Sequence, residues 1–171
     1  MELLIKFLPA FGVLALIFVF LKNIWVTKQE QGDAKMTRIA KNIADGAMSF
    51  LKAEYKVLGI FVAAVAVLLY FKGNSEYGEE TSKHISHGIV ALSFIVGAIC
   101  SALAGFIGMK VATKANVRTT QAARTSIGRA LEVAFAGGAV MGLGVVGLGV
   151  LGLSGLFMFY QSMWPGADNL S

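Results

Sequence analysis

The side chains that could perform chemistry in this chain are ten acidic residues, two histidines and one cysteine. Hydrolytic or metal chemistry needs several such groups converging on one point. Asp33, Asp45 and Asp168 are far apart in the sequence. His84 and His87 are three residues apart and would share a helical face, but two imidazoles fall short of the ligand set of a closed metal site. We therefore assign no catalytic, cofactor-binding or metal-binding residue.

A glycine-rich stretch, 137–153, suggests a different chemistry because it contains the G-x-G-x-x-G pattern of dinucleotide-binding turns. The pattern fits twice in GGAVMGLGVVGLGVLGL, and Asp168 follows near the distance of a ribose-binding acid. However, no charged residue lies between Glu132 and Asp168, and no turn signal divides the stretch into a strand and a helix. A long uncharged apolar run is typical of a membrane span. We therefore disfavour a nucleotide-binding oxidoreductase.

The composition predicts an all-α polytopic membrane protein. Apolar residues make up 56% of the chain and charged residues 15%, well below the roughly 25% of soluble domains. We predict a single membrane domain, 1–171, with four transmembrane helices at about 3–23, 43–71, 85–110 and 131–160. The first is a retained helix rather than a signal peptide, because Trp25 and not a cleavage site follows it. Cys100 is the only cysteine, so it has no disulfide partner in this chain.

The distribution of positive charge predicts the topology. Residues 22–56 carry seven and residues 110–129 carry five of the 15 lysines and arginines. By the positive-inside rule, segments 24–42 and 111–130 are cytoplasmic, and the loop 72–84, the tail 161–171 and both termini lie outside. The net charge of +5 thus reflects orientation in the membrane, and we expect no nucleic-acid partner.

The second span is predicted to begin well before the membrane. Apolar residues recur at steps of three and four, which indicates one long helix over about 36–71 whose first half is amphipathic (Ile39, Ile43, Ala47, Phe50, Leu51, Leu58). Asp45 lies off that stripe, and we expect it to form salt bridges with Lys41 or Lys52. For the cationic segment 110–129 two interpretations stay open: a solvated positive-inside loop, or a loop near an anionic ligand such as phosphate.

The glycines are better explained by helix packing than by nucleotide binding. Helices in lipid associate where small side chains let backbones approach. On a helical wheel one arc of about 140° collects most glycines of the fourth span (Gly137, Gly138, Gly142, Gly149, Gly152, Gly155). Gly144 and Gly147 fall outside that arc. The third span has small residues of its own (Gly97, Ala98, Ser101, Ala102, Ala104, Gly105, Gly108). We therefore expect these two helices to pack closely.

Three stretches resemble the N-terminal region of the membrane-bound, ion-translocating pyrophosphatases. They are IADGAMSFLKAEYKVLGIF at 43–61, GFIGMKVATKANVRTTQAAR at 105–124 and GRALEVAFAGGAVMGLGVVGLGVLGL at 128–153. Together they cover 65 of the 171 residues in the family's order, and the second is the most specific.

The resemblance implies an N-terminal fragment of a pump that couples pyrophosphate hydrolysis to proton or sodium transport. It implies a homodimer in which about sixteen helices per subunit pack into one bundle, with these four in its outer part. It also implies Mg²⁺, and possible K⁺ or Na⁺ dependence, in the complete enzyme, and a prokaryotic inner membrane as the location. The family's aspartate-rich motifs, which bind the magnesium–pyrophosphate complex, match none of Asp33, Asp45 and Asp168. We expect this segment to bind no Mg²⁺ and to be inactive alone. The alternative is a non-enzymatic helical module that packs or scaffolds other membrane spans.

Overall fold

The computed structural model describes residues 2–72 and 87–163 of the chain, with side chains described over 7–71 and 88–163. Every element in these ranges is an α-helix: α1 (Glu2–Lys28), α2 (Ala34–Lys72), α3 (His87–Ala123) and α4 (Ile127–Met163). All four are long and apolar enough to cross a membrane. The prediction of an all-α polytopic membrane protein is therefore confirmed, as is the long second helix.

Side-chain caps fix where two of the helices begin. The Asp33 carboxylate accepts a hydrogen bond from the backbone N–H of Met36 at 2.9 Å, which satisfies a free donor in the first turn of α2. The Ser126 hydroxyl accepts one from the backbone N–H of Arg129 at 3.2 Å and caps α4 in the same way. The α1–α2 loop, 29–33, and the α3–α4 corner, 124–126, lie together, and we call this part of the molecule the corner end.

The cationic segment 110–129 is mostly helical, which corrects its interpretation as a loop. α3 continues without a break to Ala123, so the connection to α4 is only three residues long. The helix persists because 111–123 contains no glycine or proline, and its alanines favour a helix. Most of the cations of this segment are thereby held at fixed positions on α3.

The core lies where α1, α3 and α4 meet. One buried cluster consists of Val19, Val111 and Val140, and a second consists of Val26, Ala115 and Ala136. Each cluster therefore takes one residue from each of these three helices. α2 packs against α3 alone among the larger contacts, so it lies at the side of the bundle.

The structure places only part of the glycine set predicted by the wheel at helix contacts within this chain. A Cβ atom at Gly137 would lie 2.7 Å from the Ala115 Cβ, and one at Gly147 would lie 3.0 Å from the Leu16 side chain. Gly144 is also buried. A Cβ atom would meet no atom of the described residues within 4 Å at four glycines of the predicted arc (Gly138, Gly142, Gly149, Gly155). The prediction is therefore confirmed for Gly137 and for Gly152, where a Cβ atom would lie 2.9 Å from the Cys100 sulfur, and it is wrong for Gly147. At the buried Gly144 a Cβ atom would also meet no described atom within 4 Å. The four open glycines contact no other helix in the described part of this chain.

The expectation for α3 is partly confirmed. Ala104 is buried, and a Cβ atom at Gly108 would lie 3.1 Å from the Met141 side chain of α4. Gly105 contacts α2 instead, because a Cβ atom there would lie 2.8 Å from the Tyr55 hydroxyl. Gly97 is exposed, and no atom of the residues that the structure describes would lie within 4 Å of a Cβ there.

Candidate functional site

Arg118 organises the corner end of the bundle. It is buried at 4% relative exposure, although it belongs to segment 110–129, for which a solvated loop was one of the two interpretations. Its guanidinium donates hydrogen bonds to the carbonyls of Thr27 at 3.0 Å, Gln29 at 3.1 Å and Lys114 at 2.8 Å. Thr27 and Gln29 lie at the C-terminal end of α1, where helix carbonyls lack partners and carry partial negative charge. Arg118 therefore caps α1 from α3.

A second link joins the α1–α2 loop to the α3–α4 corner. Arg124 and Asp33 form an ion pair of 3.1 Å on the surface. The N–H of Met36, and after it the hydrogen bond from Arg124, hold the pKa of the Asp33 carboxyl below its ordinary value of 3.8. Gly32 has a positive φ of 84°, and a Cβ there would lie 2.8 Å from the Gln121 amide oxygen, so the tight loop requires glycine.

A cationic pocket of about 220 Å³ opens between these links. Its walls come from the end of α1, the last turns of α3, the corner and the first turn of α4 (Lys28, Gln29, Glu30, Arg118, Gln121, Ala122, Thr125, Arg129). Three of these residues are cations and one is an acid. Arg129 also pairs with Glu132, one turn along α4, at 2.9 Å. The arrangement suits a small anion better than a cation or an apolar group.

An open groove of about 280 Å³ separates α2 from α3 near the same end. The predicted amphipathic stripe of α2 lies along it and beyond it, but only Leu51 of that stripe is buried. Ile39 and Ile43 line the groove and remain about half exposed. The first half of α2 therefore presents an apolar face that the described part of this chain does not cover.

The described structure does not bring together the residues that the sequence singled out as candidates for chemistry. Asp45 forms no ion pair among the described side chains, so the expected salt bridge with Lys41 or Lys52 is wrong, and the ion pair forms at Asp33 instead. Within the described residues no group of three His, Cys, Asp or Glu could hold a metal ion. His84, Asp168 and the side chain of His87 lie outside the part that the structure describes. The glycine-rich stretch lies inside α4 with no strand before it among the described residues, so it has no dinucleotide-binding geometry.

Comparison with known proteins identifies the family. The sequence profile described as "Inorganic H+ pyrophosphatase" matches residues 13–170, which is most of the chain. This chain belongs to that family. The resemblance seen in the three sequence stretches is thereby confirmed.

The relatives of this chain in the pyrophosphatase family include pumps of both ion types. It is 48% identical over 143 residues to the "Putative K(+)-stimulated pyrophosphate-energized sodium pump" of Clostridium tetani, covering 84% of this chain and 19% of that protein. It is 37% identical over 150 residues to the "K(+)-insensitive pyrophosphate-energized proton pump" of Caldanaerobacter subterraneus, covering 85% and 21%. The corresponding proton pump of Methanosarcina mazei is 36% identical over 161 residues, covering 94% and 22%. The chain thus spans about a fifth of the length of these relatives.

Proposed function

We propose that this chain forms the N-terminal, outer part of a pyrophosphate-energised ion pump. It supplies four spanning helices against which the remaining helices of the pump pack. In this proposal the complete enzyme binds Mg²⁺ and pyrophosphate, assembles as a homodimer and moves protons or sodium ions, whereas residues 1–171 position those helices and do not catalyse hydrolysis.

The observation that carries this proposal is the uncovered surface of α2 and α4. None of the most apolar part of α2 is buried, and α4 exposes Gly138, Gly142 and Gly149 along one face. A face that contacts only lipid does not require glycines. Three glycines on one exposed face are typical of a surface that another helix approaches closely. The chain matches the family and covers about a fifth of its relatives' length. In this proposal the remaining helices of the pump cover the open surfaces of α2 and α4.

Activity in a chimera tests the proposal. The matched segment of the Clostridium tetani relative is replaced by the corresponding residues of this chain, and Mg²⁺-dependent phosphate release and ion uptake into vesicles are measured. We expect the chimera to hydrolyse pyrophosphate and residues 1–171 alone to release no phosphate above a lipid blank. Steady turnover by residues 1–171, lost on Asp45→Asn, would contradict the proposed division of labour.

The open glycine face provides a matched pair of variants in the same chimera. Gly142→Leu places a bulky side chain on the face that is free in this chain, so it should lower the activity of the chimera and leave residues 1–171 stably folded. Gly128→Leu is the control, because Gly128 is exposed in the first turn of α4, before its apolar stretch. Equal activity of both variants would rule out this face as a contact between helices.

We also propose that segments 24–42 and 111–130 face the cytoplasm of a prokaryotic inner membrane, with both termini outside. Twelve of the 15 lysines and arginines in 22–56 and 110–129 support this orientation. Single cysteines at Ser75 and Thr120, in a Cys100→Ala background, should react with an impermeant reagent from opposite sides of sealed cells. Equal labelling at the two positions would exclude this topology.

A further inference from the structure

We propose that the cationic pocket at the corner end binds the phosphate group of an anionic ligand, and that the ligand is a phospholipid headgroup. The pocket combines side chains from the end of α1 and the α1–α2 loop with side chains from the end of α3, the corner and the start of α4, which come much later in the chain. Three features support this assignment: the depth of the pocket relative to the membrane, its net positive lining, and the partial charges of the helix ends around it.

The depth of the pocket matches the headgroup layer. Lys28 lies three residues beyond Trp25, which corresponds to about 4.5 Å along the helix axis. Trp25 and Lys22 form a cation–π pair, with the ammonium 5.4 Å from the indole ring, and both residue types mark the boundary between hydrocarbon and water. On α4, the uncharged stretch starts after Glu132, one turn from Arg129. The polar walls therefore begin where the apolar surfaces of α1 and α4 end.

The lining of the pocket contains more cations than acids, so its charge favours an anion. Lys28, Arg118 and Arg129 face it, and Glu30 is the one acid among the described residues of its lining. Glu132 pairs with Arg129 but does not line the pocket. Lys28 forms no ion pair among the described side chains. Basic pockets between helix ends at a membrane surface are where anionic headgroups bind.

The helix ends around the pocket add to this preference. The C-terminal carbonyls of α1 would repel an anion, but Arg118 occupies two of them. Three of its five N–H groups donate to carbonyls, which leaves two without a hydrogen bond in the described structure. On the opposite wall α4 begins at Ile127, and the N-terminus of a helix carries partial positive charge.

Lipid binding to the complete protein in a neutral detergent tests this site. Native mass spectrometry would measure the binding of phosphatidylglycerol and of phosphatidylcholine with the same acyl chains. We expect a preference for phosphatidylglycerol that the double variant Lys28→Gln/Arg129→Gln weakens about tenfold, since each cation near a lipid headgroup contributes to attraction. The control, Lys41→Gln/Lys52→Gln, removes two exposed cations of α2 and should change binding less than about twofold.

A second variant and a second ligand make the result decisive. Glu30→Gln removes the acid of the lining and should tighten phosphatidylglycerol binding, a change that partial misfolding would not produce. Inorganic phosphate and pyrophosphate are tested as competitors without Mg²⁺. Displacement of the lipid by either anion, absent in the Lys28→Gln/Arg129→Gln variant, would support a site that binds the phosphate group of the lipid. Binding of either anion to the pocket without any preference for phosphatidylglycerol would overturn the assignment to a lipid. Equal binding of the two lipids, or equal loss in pocket and control variants, would overturn the proposal.

Discussion

Helices α4 and α2 are of similar length and both can span a membrane, but this chain buries a face of one and leaves the other open. α4 buries seven residues along one stripe (Val133, Ala136, Gly137, Val140, Gly144, Gly147, Ser154). In α2, Leu51 is the one buried residue among the described side chains. Both helices contain an apolar stretch long enough to span a membrane, so the presence of such a stretch does not separate them. What separates them is the size of the residues that face a neighbour.

Small residues on α4 let α1 and α3 approach its backbone. Gly12 of α1 lies against α4 so closely that a Cβ would be 3.2 Å from the Gly147 carbonyl oxygen. α2 instead exposes large side chains such as Phe50, Phe61 and Leu68. Because lipid solvates large apolar side chains as well as a protein does, only close packing distinguishes a helix contact from a lipid contact. Four substitutions test this contrast between a tightly packed core and a loosely packed α2.

The largest effect is expected from Gly137→Leu. Its Cβ would lie 2.7 Å from the Ala115 Cβ in the α3–α4 contact, so the helices must separate, at a cost of about 3 kcal/mol, the upper end for overpacking. Thermal unfolding in detergent measures this loss. Gly138→Leu, one residue away on the open face, is the control and should leave residues 1–171 about as stable. Similar losses in both variants would refute the distinction between the two faces.

The second effect is expected from Arg118→Met. This change leaves the carbonyls of Thr27 and Gln29 without their charged donor and should cost about 2 kcal/mol. Hydrogen exchange should increase at the end of α1 and remain unchanged in the middle of α4. The exposed Arg124, the first residue after α3, gives the control Arg124→Met, which should cost less than about 1 kcal/mol. A smaller effect at Arg118 than at Arg124 would show that the cap is not needed.

A third, smaller effect is expected from Tyr55→Phe. The Tyr55 hydroxyl donates a hydrogen bond of 2.5 Å to the Ala102 carbonyl and is a polar link between α2 and α3. Its loss should cost about 1 kcal/mol. Because α2 lies outside the core, amide exchange should rise in α2 while α1 and α4 stay protected. Tyr70→Phe removes an exposed hydroxyl from the same helix and is the control. Unfolding of all four helices together would contradict the separation of α2 from the core.

The smallest effect is expected from Asp33→Asn, and it depends on pH. Asparagine keeps the cap of α2 but loses the ion pair with Arg124. Since the folded pKa of Asp33 is lowered, its charge stabilises the fold fully above the ordinary value of 3.8, and this contribution is lost as the pH falls through the folded pKa. The melting temperature of the variant should therefore be slightly below that of the parent at pH 7. The gap should close below pH 3.8; a gap independent of pH would exclude the carboxylate as its cause.

The sequence alone predicted the four helices, the long α2 and the family, because apolar runs and helical periodicity are local signals. It did not predict which glycines are buried. A helical wheel shows that the glycines cluster, but which side of α4 is buried depends on helices far away in the sequence. The buried arc of α4 lies next to the predicted arc, and Gly137 belongs to both.

Arg118 was missed because five cations without an acid are typical of a solvated positive-inside segment. A signal for its burial was nevertheless present. It continues a stripe of small and β-branched residues of α3 at alternating steps of four and three (Ala104, Gly108, Val111, Ala115, Arg118), all of them buried. A charged residue that extends a buried stripe past the apolar segment is a candidate cap for a neighbouring helix.

The contact of Tyr55 with Ala102 also sets how α2 and α3 stand relative to the bilayer. Lys56, the last charge before the apolar half of α2, is thereby level with the middle of α3. The first charge on α3 after its apolar stretch is Lys110, eight residues beyond Ala102, which is about 12 Å along the axis. One flat membrane surface cannot meet both boundaries, so the lysines must snorkel, the bilayer must thin beside α2, or other protein must cover the step. Assembly of this protein should therefore respond to the acyl-chain length of the lipid around it.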